Sequence, residues 1–346
     1  MDTITNINLS SDGTAVIILD QSLLPSETKY ITLREPRELC DAIETLKIRG
    51  APAIGIFAAF ALYVLALQAN TEDYAQFHRY ITHHSVQLNA TRPTAVNLAT
   101  QLRRMEQIVE RNAALSVRQI TDLMREEAQE IQREDIAMCK AISEHGLTLI
   151  SGGYSILTHC NAGPLATSHY GTGLGTILLA HERQVPIRAF CCETRPLLQG
   201  ARLTTYELTR AGVDTTLICD NMASAVMQSG KINAVFVGCD RVARNGDVAN
   251  KIGTSGLAIL AKHYGIPFYV FCPSSTIDLG CASGAEIEIE QRHAEEITHL
   301  YFEKPIAPDG VRCYNPSFDV TDSSLITAII TESGIYRPPF KEGLGK

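Results

Sequence analysis

The residues best placed to do chemistry stand where apolar runs stop. Ala234-Val-Phe-Val-Gly238 reads as a buried strand and is followed closely by an acid, Asp240. A polar loop with the turn pair Asn245-Gly246 leads to Asn250-Lys251, and Gly253-Thr-Ser-Gly256 opens a helix. In open α/β sheets, ligands bind at the carboxyl ends of the strands. A Lys beside a helix N-terminus suits phosphate. The plainer alternative is an Asp that caps a loop and a Lys in solvent.

A second strand, Ser155-Ile-Leu-Thr158, runs into His159-Cys160-Asn-Ala-Gly-Pro164. A thiol at so sharp a turn can meet backbone N–H groups that favour thiolate, although most such cysteines are structural. His159 is adjacent, but neighbours on a strand face opposite ways, which argues against a Cys–His pair. Tyr170-Gly-Thr-Gly-Leu-Gly-Thr176 departs from the dinucleotide pattern and reads as a glycine-rich helix start that admits a phosphorylated ligand. Gln199 could donate to a hydroxyl or phosphate oxygen. Arg195 could meet a ligand or pair with Glu193. Asp220 could cap the following helix. Arg49-Gly50-Ala51-Pro52 begins another helix, with Pro in its first turn, and is a further anion candidate. No zinc-protease, P-loop or serine-nucleophile motif occurs, and the cysteines form no C-x-x-C. Neither a metal nor a cofactor is therefore expected.

These residues need a scaffold, and the chain is long enough to build one. Its 346 residues, 45% hydrophobic and 20% charged, fit two domains with a sizeable core. The net charge of -8 and the absence of a basic block argue against nucleic acid or an anionic membrane as partner. Ten cysteines without a disulfide spacing, and a polar opening without a targeting core, point to the cytoplasm. The uncharged run from Ala51 to Thr71 is long enough to span a bilayer. It is Ala-rich, opens on Pro52, contains Gly55 and has no second such segment, so it reads as a buried core helix.

Short strands are predicted at 15–19 and 30–33. Helices are predicted at 36–47, from 52, and at about 73–88, 93–113 and 116–145, with Thr91-Arg92-Pro93-Thr94 as a junction. Beyond that the rhythm alternates. Strands at 155–158, 187–190, 216–218, 234–237 and 267–271 are separated by helices near 172–183, 203–212, 221–229 and 255–265. A strand at 299–303, a helix near 323–332 and a tail at Arg337–Phe340 lying over the fold complete the reading. The fold class is α/β: a mainly helical N-terminal domain with a small sheet (1–148), then a Rossmann-like doubly wound parallel sheet (149–346).

Taken together, Arg49-Gly-Ala-Pro-Ala-Ile-Gly55, Cys160-Asn-Ala-Gly163, Glu193-Thr-Arg-Pro196, Gln199-Gly-Ala-Arg-Leu203, Asp220-Asn-Met222, Gly238-Cys-Asp-Arg241, Ala249-Asn-Lys-Ile-Gly-Thr254, Ser275-Thr-Ile-Asp278 and Tyr314-Asn-Pro-Ser-Phe-Asp-Val-Thr321 resemble the methylthioribose-1-phosphate isomerase family, in order and over nearly the whole chain. Ribose-1,5-bisphosphate isomerases and the regulatory subunits of initiation factor 2B are relatives. The resemblance implies a cytoplasmic homodimer that converts an aldose 1-phosphate to the ketose 1-phosphate in methionine salvage, without a cofactor. It places the catalytic Cys on Cys160 and the catalytic Asp on Asp240. It places substrate binding on Arg49, Gly50, Ala51, Arg92, Gln199, Asn250 and Lys251. The segment His299–Pro305 departs from the family's usual pattern. A 5-deoxyribose 1-phosphate or ribose 1,5-bisphosphate isomerase, and a non-catalytic regulatory subunit, are the alternatives.

Overall fold

The structure, a computed structural model, describes residues 4–93 and 95–344; Met1–Thr3, Thr94 of the anticipated junction, and the last two residues lie outside it. The chain forms two compact units. Of the described residues, one comprises 4–137 with 164–169, and the other comprises 138–163 with 170–344.

The first unit carries a three-stranded antiparallel sheet, β1 (Ile7–Leu9), β2 (Val16–Leu19) and β3 (Tyr30–Leu33). Strand β1, too short to show an alternation, was not anticipated. Helices α1 (Pro36–Glu44), α2 (Ala51–Gln68), α3 (Tyr74–Ala90), α4 (Val96–Arg111) and most of α5 (Val117–Leu147) follow. Helix α2 is apolar all round because it is enclosed all round: every residue from Ala53 to Ala66 is buried. It packs with Leu98, Leu102 and Met105 of α4 and Ile120 and Met124 of α5. A helix hydrophobic on every face belongs in a core or a bilayer, and this one is in a core.

Asp135, near the end of this unit, is buried and accepts a hydrogen bond from the Ser168 backbone N–H at 2.8 Å. Burial pushes its carboxyl up to about 6. Because the folded-state pKa lies above the unfolded value, this group favours folding most below about pH 4 and loses that contribution as pH rises through about 6. Two pKa units correspond to about 3 kcal/mol. Between about pH 4 and pH 7, urea-unfolding free energies of the native protein and Asp135→Asn should shift relative to each other by about 2–3 kcal/mol, in favour of the variant at the higher pH. Parallel pH profiles would refute this.

The second unit is built on a seven-stranded sheet in the order β14-β13-β10-β7-β4-β5-β6. Its strands are β4 (Ser155–His159), β5 (Arg188–Cys192), β6 (Asp214–Ile218), β7 (Ala234–Val237), β10 (Phe268–Phe271), β13 (Ala328–Thr331) and β14 (Gly334–Tyr336). All pair in parallel except β14, which is antiparallel to β13. Helices α6 (Gly175–Glu182), α7 (Thr205–Arg210), α8 (Ala223–Gln228) and α9 (Thr254–His263) connect them. Both faces of the sheet are covered. Val235 and Val237 belong to one apolar cluster with Leu157, Leu257 and Phe268, while Ala234 and Phe236 belong to the other with Ile156, Ile177 and Phe271. Strands buried on both faces read as continuous apolar runs, which is why these were visible in sequence.

Two C-terminal elements differ from expectation. Residues 299–303 form no strand: a single helical turn, α10 (Glu295–Thr298), leads into irregular chain. The aromatic residues there face cations instead, with Arg202 over Tyr301 at 4.3 Å and Arg195 over Phe302 at 5.2 Å. The anticipated helix near 323–332 is a short turn followed by β13, where Ile329 and Ile330 pair in parallel with β10. Its branched residues favour a pleated surface. Phe340 of the tail is buried and lies against Gly246, as expected for a covering segment.

Candidate active site

Chain order places a switch point at the centre of the large sheet. From β4 the chain moves to β5 and β6 on one side, then returns to β7 on the other side of β4. The crevice at the carboxyl ends of β4 and β7 is where doubly wound folds bind ligands. Cys160 directly follows β4, and Asp240 follows β7 by three residues. His159 and Val237 are register partners across this seam. The two residues with the strongest chemical claim thus stand on either side of the switch point.

Cys160 is half-buried and has φ of 63°, in the left-handed region. A non-glycine residue holds that conformation only where its surroundings fix it. Here two hydroxyls do so. The Cys160 N–H donates to Thr194 Oγ1 at 2.8 Å, and Thr204 Oγ1 donates to the Cys160 carbonyl at 2.6 Å. Asn161 donates to the buried Glu207 carboxylate, and an added Cβ at Gly163 would lie 2.4 Å from that same carboxylate. The turn that presents the thiol is therefore locked from three sides.

Asp240, Asn250 and Lys251 come together through a hairpin that was read from sequence as a loop. Strand β8 (Arg241–Ala243) pairs antiparallel with β9 (Val248–Lys251) around Asn245-Gly246, where Gly246 has φ of 90°. With β11 (Ile277–Asp278) and β12 (Phe318–Thr321) they form a four-stranded sheet in the order β11-β8-β9-β12. The Asp240 N–H donates to the Ala249 carbonyl at 3.0 Å, which sets the acid beside Asn250. Asn250 is buried and donates to Thr254 Oγ1 at 3.1 Å. Lys251 Nζ lies 4.5 Å over the Phe318 ring. Asp240 itself is exposed, while the neighbouring Phe236 and Val237 are buried inside the sheet. Gln199 is buried and its Oε1 has no hydrogen-bond partner, the condition of a group made to receive one from a ligand.

Three expected anion cradles differ from their sequence reading. At the start of α9, the N–H groups of Gly253 and Ser255 are held by the Asp319 carboxylate at 2.8 and 3.0 Å. That end is already capped, which leaves Lys251 as the local cation. The glycines at 171, 173 and 175 are filled by the protein: an added Cβ would meet Gly163 Cα at 2.3 Å, Gly238 N at 3.0 Å and Ser143 Oγ at 2.2 Å, respectively. At Gly50 (φ 95°) the close approach comes from Ala166, 2.5 Å from an added Cβ, within the first unit. Arg49, Gly50 and Ala51 nevertheless stand at the N-terminus of α2, which no side chain caps. Arg92, half-buried, follows α3. Two residues read as alternatives also resolve. Asp220 caps the 193–195 turn, accepting from the Thr194 and Arg195 N–H groups at 2.8 and 2.7 Å. Arg195 forms no ion pair with Glu193 among the described residues, and donates to the Pro196 and Ile297 carbonyls at 3.0 and 2.7 Å.

Comparison with known proteins identifies the family. The model of the initiation factor 2 subunit family matches residues 47–338. Methylthioribose-1-phosphate isomerase of Symbiobacterium thermophilum is 55% identical over 98% of this chain and 94% of its own. The chain belongs to the methylthioribose-1-phosphate isomerase family. The 5-deoxyribose 1-phosphate isomerase of Petrotoga mobilis is 52% identical over 99% of both chains. The crystal structure of 5-methylthioribose 1-phosphate isomerase from Pyrococcus horikoshii superposes with a TM-score of 0.94 at 40% identity, covering 99% of this chain and 94% of that one.

Proposed function

We propose that the protein converts S-methyl-5-thioribose 1-phosphate to S-methyl-5-thioribulose 1-phosphate in the methionine salvage of the cytoplasm. The observation that carries this reading is the placement of Cys160 and Asp240 just past the adjacent strands β4 and β7 at the switch point, in a chain 55% identical to an enzyme of that name. The 1-phosphate locks the sugar ring, so the ring must open with the phosphate attached. Cys160, as thiolate, takes the C2 proton. Asp240, protonated, donates to the ring oxygen as the C1–O bond breaks. The resulting enol phosphate takes a proton at C1 from the Cys160 thiol, while its C2 hydroxyl gives its proton to the Asp240 carboxylate and becomes the ketone, which restores both groups. Asp240 is exposed, so the raised pKa that this role needs would come from bound substrate excluding water.

Arg49, Arg92 and Lys251 are assigned to the phosphate dianion, with Gly50 and Ala51 offering helix N-terminal N–H groups. Gln199 and Asn250 are assigned to the sugar hydroxyls. In this reading the chain divides at 148/149 into a mainly helical domain and a Rossmann-like domain. The working unit is a homodimer, expected at twice the 37.8 kDa chain mass by light scattering; a monomer mass at micromolar concentration would reject it.

The deciding experiment is kcat/KM on methylthioribose 1-phosphate, 5-deoxyribose 1-phosphate and ribose 1,5-bisphosphate side by side. A preference of at least about tenfold for the thioether substrate is expected, on the order of what one changed group in an apolar pocket contributes. Equal or better use of the deoxy sugar would make the protein a 5-deoxypentose isomerase, the second reading that the Petrotoga relative favours.

A further inference from the structure

Three neighbouring strands of the large sheet end on potential metal ligands. His159 is the last residue of β4, Cys192 is the last of β5, and Asp220 lies two residues past β6. Their ligand atoms all fall within 4.8 Å of one another. The His159 Nδ1 to Asp220 Oδ1 separation is 3.9 Å. Tetrahedral zinc with bonds of about 2.0–2.3 Å separates its ligand atoms by roughly 3.3–3.8 Å. Closure by about an ångström would complete the set.

The histidine carries the argument. His159 is buried, 2% exposed, and its Nε2 lies 2.8 Å from the Ile252 carbonyl. A carbonyl only accepts, so Nε2 holds the proton and Nδ1 holds a lone pair. That Nδ1 is buried without a hydrogen-bond partner and faces the other two groups. Burial lowers the proton affinity of the ring, which keeps the imidazole neutral. A neutral histidine whose far nitrogen is fixed by a carbonyl is the usual arrangement of a metal-ligating one. Asp220 is oriented as well: its two oxygens accept from the Thr194 and Arg195 N–H groups, and each keeps a second lone pair. Alongside lies a cavity of about 350 Å³, lined by the three residues with Gly253, Leu257 and Leu260, that leaves room for a fourth ligand.

We propose that His159, Cys192 and Asp220 form a binding site for a divalent transition-metal ion, with zinc the best match to an imidazole–thiolate–carboxylate set. Binding displaces the Cys192 thiol proton to solvent. One thiolate and one carboxylate then balance the two positive charges of the ion, so the loaded site is neutral. The site is separate from the acid–base pair. His159 and Cys192 occupy the sheet face of Leu157 and Leu257, and no role in isomerisation is assigned to them.

The test is a titration of chelator-treated, reduced full-length protein with cobalt(II) chloride under anaerobic conditions. One equivalent is expected to bind with tetrahedral visible bands and a near-ultraviolet thiolate-to-cobalt band, both removed by zinc chloride. Cys192→Ser should abolish the charge-transfer band and weaken binding at least about a hundredfold, while Cys160→Ser titrates like the native protein. Asp220→Asn should weaken binding at least about tenfold and stands in for a histidine variant should that one fail to fold. Absence of cobalt bands at about 1 mM, a Cys192→Ser protein that titrates unchanged, or loss of the band in Cys160→Ser would each overturn the proposal.

Discussion

Replacing Cys160 with Ser should lower kcat by about a thousandfold or more while leaving KM for the sugar phosphate within a few-fold. The two side chains are nearly isosteric, and the clamp on the Cys160 backbone uses only its N–H and carbonyl, held by Thr194 and Thr204. The variant therefore keeps the turn and its left-handed φ. It replaces the thiol by a hydroxyl, a far weaker acid and so a far poorer source of the anion that the proposed step needs. Asp240→Asn removes the transferable proton at constant shape and should cost on the order of a hundredfold to ten-thousandfold. The double variant should fall little below the worse single one, because acid and base serve one step. Unchanged rates in both single variants would remove the catalytic assignment. Running the reaction in deuterated water separates the proton route from a hydride shift between C2 and C1. Solvent deuterium at C1 of the ketose is the expected outcome, and its absence would count against proton transfer.

The sheet, and the positions of Cys160 and Asp240 just past two of its strands, were legible because both rest on local signals. The runs Ile156–Thr158 and Ala234–Val237 are apolar without alternation, which is the mark of strands buried on both faces. The residues just past such strands face the ligand edge by topology alone. Helix α2 was legible for a related reason, since its uncharged run carries Ala and Gly suited to close packing. What escaped the sequence reading depends on partners distant in the chain. The β8–β9 hairpin read as loop because its strands are only three and four residues long; its pairing with β12 is set by residues some seventy positions away. Asp319 capping α9 is the same kind of fact: nothing near Gly253 in sequence says that its N–H is taken. The run of residues 328–331 became a strand because β10 offered it an edge, although helical spacing fitted the same letters. The cluster of His159, Cys192 and Asp220 has no linear motif, as its members come from three separate strand ends.

Gly171→Ala should destabilise the protein by more than about 4 kcal/mol, or prevent its folding, which distinguishes a packed glycine run from a phosphate loop. Gly171 has φ of 83°, where an L side chain is strained. Its added Cβ would meet Gly163 Cα at 2.3 Å and the Ala162 carbonyl oxygen at 2.5 Å, both backbone atoms that cannot rotate away. Ala162 is itself fixed, since its carbonyl accepts from the Thr172 and Leu174 N–H groups at 2.9 and 3.2 Å. Relief would have to come from moving the turn that follows Cys160, so any folded fraction should also lose turnover. Gly256→Ala is the matched control. Nothing lies within 4 Å of its added Cβ, it stands inside α9, and its φ is not positive. Alanine there should be neutral or stabilising by up to about 1 kcal/mol. Thermal denaturation compares the two directly. If Gly171→Ala melted like the native protein and only raised KM for the phosphorylated substrate, the glycine run would be a ligand cradle, and the packing account given for it would fall.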